Sequence, residues 1–410
     1  MNDLFPAAEI LRDLIRCPSV TPEEGGALDV LQKRLESSGF RVIRKNFSAP
    51  NTPDVENLYA RLGDAAPNLC FAGHTDVVPP GDDKLWSSGP FDGEVTNGVM
   101  FGRGAVDMKG GIACFVAAVE AYLAQGKTFP GSISLLVTGD EEGPAINGTK
   151  AILDWLVEQG EQIDGCVVGE PTNPEVIGDA IKIGRRGSVS GIVSVTGTQG
   201  HSAYPHLADN PVRGIIALTT ALIAEPFDTG TENFQATNLE VTSIDIDNPA
   251  HNVIPAQATA QFNIRFNDTW TAGSVKAEIE RRLEEASGEE ILRRPLPDGP
   301  RPPVRYEVSY AERPSQVFLT RDGALIASLS SAVERITGRK PDLSTGGGTS
   351  DARFIKDVCP VVEFGLVGQT MHQIDERVPL DDLRLLTDIY VEFIETYAAQ
   401  AQVNAGGAQA

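Results

Sequence analysis

The chain has 410 residues, 41% of them hydrophobic, which suits a globular protein with a sizeable core and more than one domain. Its 57 acidic against 34 basic residues give a formal net charge of −23, which argues against nucleic acid and anionic membranes as partners, since both would repel it. Near the N-terminus Asp3, Glu9 and Arg12 interrupt the apolar residues, so no signal peptide is predicted; the most apolar helical stretch, Ile112–Ala124, contains Glu120 and is too short to span a bilayer. The five cysteines (Cys17, Cys70, Cys114, Cys166, Cys359) are scattered and form no C-x-x-C, as expected of small buried hydrophobes in a reducing cytoplasm. The expectation is a soluble, cytoplasmic protein.

In chain order, apolar spacing predicts helices over Leu4–Arg16 and Gly26–Ser38, then strands over Arg41–Phe47, Asn57–Leu62 and Asn68–Ala72. A helix over Gly111–Ala124, the strand Ser132–Thr138, a helix over Asn147–Glu158 and the strand Gly165–Val168 follow. This alternation predicts an α/β domain with a mainly parallel sheet. From about Gly184 the texture changes. Strands over Ser188–Val195, Leu239–Ile244, Ala256–Phe266 and Arg305–Tyr310, with helices over Asn210–Ile223 and Ala272–Glu285, have the β-α-β-β-α-β order of a ferredoxin-like α+β insert. The Pro- and Arg-rich segment Ile291–Val304 reads as an exposed loop. After Arg313 the α/β pattern resumes with a helix over Ala324–Thr337, the strand Val361–Phe364 and a helix over Asp381–Ala399. The predicted organisation is a catalytic domain from residues 1–183 and 313–398, an insert at 184–312, and a disordered tail at 399–410, rich in Ala, Gln and Gly.

Three polar clusters each follow an apolar strand: Gly73-His74-Thr75-Asp76, Gly139-Asp140-Glu141-Glu142-Gly143 and Gly169-Glu170-Pro171. Ligands of open α/β sheets bind at the carboxyl ends of strands, so three such clusters point to one site. Asp107 and His372 are two further members. Any one cluster alone is better explained by an ordinary solvated turn. Together they supply two imidazoles and at least three carboxylates, a donor set for zinc or a similar divalent ion. A carboxylate shared by two ions lets the pair hold one hydroxide. Asp76, two residues after His74, is placed to accept the imidazole's second N–H. Successive side chains of extended backbone point to opposite sides, so of Glu141 and Glu142 one can bind metal while the other takes up a proton.

The stretches H-T-D-V-V-P from His74, G-R-G-A-V-D-M-K-G from Gly102, G-D-E-E-G-P-A-I-N-G-T from Gly139 and V-G-E-P-T from Val168 resemble the signatures of the di-zinc aminoacylases and exopeptidases. That resemblance implies two Zn2+ per subunit, with Co2+ or Mn2+ as possible substitutes. One ion would take His74, Asp107 and Glu170; the other would take Asp107, Glu142 and His372, with Glu141 as general base. It also implies a cis peptide bond at Asp107–Met108.

Within the family, four further stretches resemble the succinyl-diaminopimelate desuccinylases of bacterial lysine biosynthesis: Arg185–Ser188, Gln199–Ala208, His251–Pro255 and Gly346–Asp351. Similarity covers nearly the whole chain except Ile291–Val304 and the tail. By this resemblance the substrate is a small N-succinyl amino acid carrying three carboxylates, contacted by Arg185, Ser188, Tyr204, Asn252, Arg265, Gly348 and Thr349. The protein would be a homodimer whose insert is a lid and dimerisation domain, and His201 would donate a hydrogen bond to the oxyanion in the partner's site. One departure is Gly368, which stands where relatives carry an asparagine that touches substrate. The alternatives are a related deacylase such as an acetylornithine deacetylase, a carboxypeptidase, or a non-catalytic binding relative.

Overall fold

In the computed structural model, residues 4–288 and 304–407 are described. The loop expected at Ile291–Val304 lies outside them except for its last residue. The chain divides into two units. One comprises Met1–Gly184, Leu319–Ser344 and Ser350–Ala410; the other comprises Arg185–Phe318 with Thr345–Thr349.

The first unit is built on an eight-stranded sheet in the order Arg41–Phe47, Val55–Leu62, Ser132–Thr138, Asn68–His74, Gly165–Val168, Val361–Glu363, Ala180–Lys182, Asp342–Ser344. The four middle strands, Ser132–Thr138 to Val361–Glu363, run parallel, which puts all their carboxyl ends on one edge. Val55–Leu62 is antiparallel to both of its neighbours, Arg41–Phe47 and Ser132–Thr138. Asn68–His74 and Ser132–Thr138 are buried along their whole length. Strands covered on both faces read as unbroken apolar runs, and this is why they stand out in the sequence.

The helix Lys109–Ala124 is apolar on nearly every side and is buried from Lys109 to Val119. Its Phe115 stacks on Phe71 at 4.4 Å between ring centroids, and Tyr390 meets both rings edge-on. The Tyr390 hydroxyl donates to the Phe364 carbonyl at 2.6 Å, so a phenol can be buried there at no cost in lost hydrogen bonds. Each of these rings, fully removed from water, contributes about 1.5–3 kcal/mol. Gly111 lets the helix approach the sheet: a Cβ at this position would lie 2.4 Å from the Gly169 carbonyl oxygen.

The second unit is a four-stranded antiparallel sheet in the order Asn238–Asp245, Gln257–Phe266, Gly187–Thr196, Arg305–Tyr310. The helices Pro211–Ile223 and Ala272–Ser287 pack on one face. Along Gly187–Thr196 the odd-numbered positions are buried and the even-numbered ones more open, the alternation of a half-covered sheet. The expected fold class, an α/β domain with a largely parallel sheet and an α+β insert, is what the structure has.

Two expectations change. The helix expected to end at Ala399 runs Leu380–Gly407, so most of the stretch expected as a disordered tail continues it; Ala and Gln are good helix formers, and composition alone misleads there. The insert also gains Thr345–Thr349 from far along the chain. Thr345 is hydrogen-bonded to the Asn233 carbonyl, and Arg185 Nη1 donates to the Gly346 carbonyl at 3.2 Å.

Candidate metal centre

The parallel strands deliver the site. His74 is the last residue of its strand, Glu141 and Glu142 follow the strand ending at Thr138, and Glu170 follows the one ending at Val168. Asp107 precedes the helix Lys109–Ala124, and His372 lies on the loop between Val361–Glu363 and Arg377–Pro379. The Asp107–Met108 peptide bond is cis, as the resemblance implied.

These side chains form two groups that share one carboxylate. His74, Asp107 and Glu170 present ligand atoms all within 4.8 Å of one another, and so do Asp107, Glu142 and His372. Asp107 Oδ1 is 3.2 Å from His74 Nε2, and its Oδ2 is 3.3 Å from His372 Nε2. Glu170 Oε1 lies 3.8 Å from His74 Nε2, and Glu142 Oε1 lies 2.9 Å from His372 Nε2. Asp107 thus turns one oxygen to each group. Glu141 belongs to neither.

The hydrogen bonding fixes the tautomer of His74. Its Nδ1 is 2.9 Å from the carbonyl oxygen of Asp76, which only accepts, so Nδ1 carries a proton and Nε2 is the nitrogen that faces Asp107 and Glu170. Asp76 thus accepts the second N–H of His74, as expected, and does so through its backbone carbonyl; its carboxylate Oδ1 is 3.6 Å from Nδ1. The carboxylate instead accepts from the amides of Glu141 at 3.3 Å and Glu142 at 3.0 Å. It therefore holds the loop on which Glu141 is the candidate base and Glu142 the candidate ligand.

The electrostatics show how closely the acids are crowded. Burial and the Asp107 charge push the Glu170 carboxyl well above the usual glutamate range. Burial, then Asp351, raises Glu141 to about 8. Hydrogen bonds to Asp107 and Glu142 raise His372 to about 10. Four carboxylates and two imidazoles crowded in this way need positive charge, and in a protein without bound cations only protons can supply it. Divalent cations suit the donor set: imidazole nitrogen and carboxylate oxygen, two triads, one shared ligand.

Three residues to which the motifs assign no role support this site. Asp140 accepts from the amides of Ala145, Ile146 and Asn147 and ties down the turn after Glu142. Asp351 is buried beside Glu141 and accepts from Thr149 Oγ1 at 2.6 Å. Glu376 is wholly buried against the loop that carries Asp107. The first was visible as the leading acid of Asp140-Glu141-Glu142, and the last as an acid four residues beyond His372.

A scan against family models matches residues 70–396 to the model described as Peptidase family M20/M25/M40. The chain belongs to that family. Among solved structures it is similar to an M20 family metallo-carboxypeptidase from Sulfolobus solfataricus, at 16% identity and a TM-score of 0.75 over 97% of this chain and 100% of the other. An aminopeptidase from Bacillus cereus matches at 18% identity and a TM-score of 0.75, covering 96% and 98% of the two chains. A dinuclear metal-binding M20 peptidase from Bacillus subtilis matches at 15% and 0.66, covering 97% and 98%. As a member of this family the chain is a metal-dependent hydrolase. Among the described residues no helix is long and apolar enough to cross a membrane.

The remaining expected site residues all lie in the second unit. Arg185 and Ser188 flank the start of the strand Gly187–Thr196, and Arg265 pairs in register with Ser188 from the neighbouring strand. Burial, then the charges of Arg186 and Arg185, lower the Arg265 pKa, so both of those guanidinium groups lie near that of Arg265. Arg186 donates to Asn238 Oδ1 at 2.9 Å and Arg265 to Asn263 Oδ1 at 3.0 Å, amide oxygens rather than carboxylates. Gly348 and Thr349 belong to the loop Thr345–Thr349, where Gly347 takes φ +101° and a Cβ would lie 2.5 Å from Arg185 Nη1.

His201 is exposed, on a two-residue strand Gly200–His201 paired with Val253–Ile254. Its Nδ1 accepts from the Ala203 amide at 3.0 Å, so Nε2 carries the proton and can donate. Asn252 accepts the Ser202 amide at 2.9 Å on the same ribbon, and Tyr204 lies 5.7 Å from His201 between ring centroids.

Proposed function

We propose that this hydrolase cleaves N-succinyl-LL-2,6-diaminopimelate to succinate and LL-2,6-diaminopimelate, with His74, Asp107, Glu142, Glu170 and His372 as ligands of two zinc ions. Two bound divalent cations would supply Lewis acidity toward the amide carbonyl and a nucleophilic water at neutral pH. The remaining chemistry falls to side chains. Glu141 takes a proton from the attacking water and passes it to the amide nitrogen as the C–N bond breaks; the amine leaves, and the water's second proton is lost from the new carboxyl group, which ends as a carboxylate. His201, protonated on Nε2, donates to the carbonyl oxygen as negative charge develops there. We assign it to the partner's site in a homodimer formed through the second unit.

The observation that carries the choice of substrate is the Arg185–Arg186–Arg265 cluster. Guanidinium charges gathered near one another favour an anion, and a planar carboxylate matches their fork geometry. A succinyl group ends in such a carboxylate, whereas an acetyl group does not. The test is a substrate panel on protein loaded with Zn2+: succinyl-diaminopimelate, acetylornithine and simple dipeptides. Preferred turnover of the succinyl substrate is expected; faster turnover of either rival overturns the assignment.

A further inference from the structure

One buried ion pair joins the loop that carries Asp107 to the loop that carries His372. Glu376 has 0% exposure and Arg103 2%. Glu376 Oε2 accepts from Arg103 Nη1 at 2.8 Å and from the Gly104 amide at 2.9 Å; its Oε1 accepts from the amides of Val106 at 2.9 Å and Asp107 at 3.2 Å. Its own carbonyl accepts from the Gly102 amide at 2.9 Å. A single carboxylate therefore gathers the whole turn that delivers Asp107.

Arg103 reaches the other way. Its Nη1 donates to the Gln373 carbonyl at 3.1 Å, and its Nη2 lies 3.5 Å from the His372 carbonyl. The guanidinium is covered by the Trp86 ring, 5.3 Å from Cζ to centroid. This support falls where it is needed. His372 has φ +61°, a left-handed conformation that costs a residue with a Cβ and persists only when its surroundings impose it.

We propose that Arg103 and Glu376 are a positioning pair that holds Asp107 Oδ2 and His372 Nε2 at their 3.3 Å spacing. The pair thereby sets the affinity of the Asp107–Glu142–His372 group for a divalent cation. The other group depends on it less, because His74 is fixed independently by its strand and by the Asp76 carbonyl. The inference rests on the two-metal reading of the site.

The experiment titrates metal-free protein with Zn2+ by calorimetry and with Co2+ by visible absorption, for wild type, Arg103→Lys, Glu376→Gln and the double variant Arg103→Met/Glu376→Gln. Lysine keeps the charge but loses the fork, and the double variant leaves no buried charge unpaired, so a variant fit for titration is retained even where Glu376→Gln fails to fold. Wild type taking up fewer than two ions refutes the two-metal reading itself, before any variant is compared. With two ions bound by wild type, the folded variants are expected to lose about 10–100-fold in affinity for one ion and far less for the other, the range usual for outer-shell partners of ligands. The Co2+ band of the weakened site should also shift. Equal weakening of both ions, or none in a folded variant, overturns the proposal.

Discussion

His74 Nδ1 lies 2.9 Å from the carbonyl oxygen of Asp76, while the carboxylate of the same aspartate turns to the amides of Glu141 and Glu142. The two parts of Asp76 thus face the two candidate metal groups separately, and they can be tested separately. Asp76→Asn leaves the carbonyl but places an N–H donor where one of the two amides must be accepted. The expected result is about 10–100-fold weaker binding of the ion held by Glu142, with the ion held by His74 and Glu170 little changed. A two-step Co2+ titration reads this out. Loss confined to the His74 ion would show that the carboxylate is that histidine's true partner.

Glu141 lies in neither ligand group, so Glu141→Gln should keep both ions yet lose most turnover. General-base assistance is typically worth about 10²–10⁴-fold. Metal analysis beside a rate assay separates the two effects. A variant that lost an ion along with its activity would make Glu141 a ligand.

Removing the metal should cost stability as well as activity. The crowded acids repel one another once the cations are gone, and a ligand present at 100 times its Kd stabilises the folded protein by about 2.7 kcal/mol per site. Thermal melts with and without a chelator, then with Zn2+ restored, should show a reversible drop in midpoint. An unchanged midpoint in protein proven metal-free would argue against folded-state metal ligation by this cluster.

Complementation tests His201. An inactive His201→Ala protein mixed with an inactive Glu141→Gln protein should recover activity once subunits exchange, because one of the two sites in a heterodimer then has both residues. Losing one oxyanion donor typically costs about 10²–10³-fold, enough to see recovery above background. Background activity after verified exchange would place the histidine's action within its own subunit or outside catalysis.

In the second unit, side-chain hydrogen bonds from Arg281, and then from Arg282, hold the Glu278 carboxyl at about 2, below its ordinary 4.5. A depressed acid stabilises the folded state above its unfolded pKa and loses that contribution as pH falls through the folded value. Glu278→Gln should therefore be less stable than wild type at neutral pH, and the gap should close on going from about pH 5 toward pH 2. Urea midpoints across that range check it; parallel curves would remove the ion pair from the stability of this unit.

The sequence by itself determined the strands that carry His74, Glu142 and Glu170, because buried parallel strands are unbroken apolar runs and their polar carboxyl ends stand out against them. It also determined the general chemistry, since two imidazoles and several acids in such places have few other uses. The tertiary structure decided what depends on direction. Whether the carbonyl or the carboxylate of Asp76 faces His74 is a matter of backbone course over two residues, which no spacing encodes. That Thr345–Thr349 joins the second unit, and that Glu376 gathers the amides from Gly104 to Asp107, depends on residues more than a hundred positions apart that only the folded chain brings together. The final helix shows the converse: Ala- and Gln-rich composition suits both a tail and a helix, and the chain beyond Ala399 continues the helix already begun.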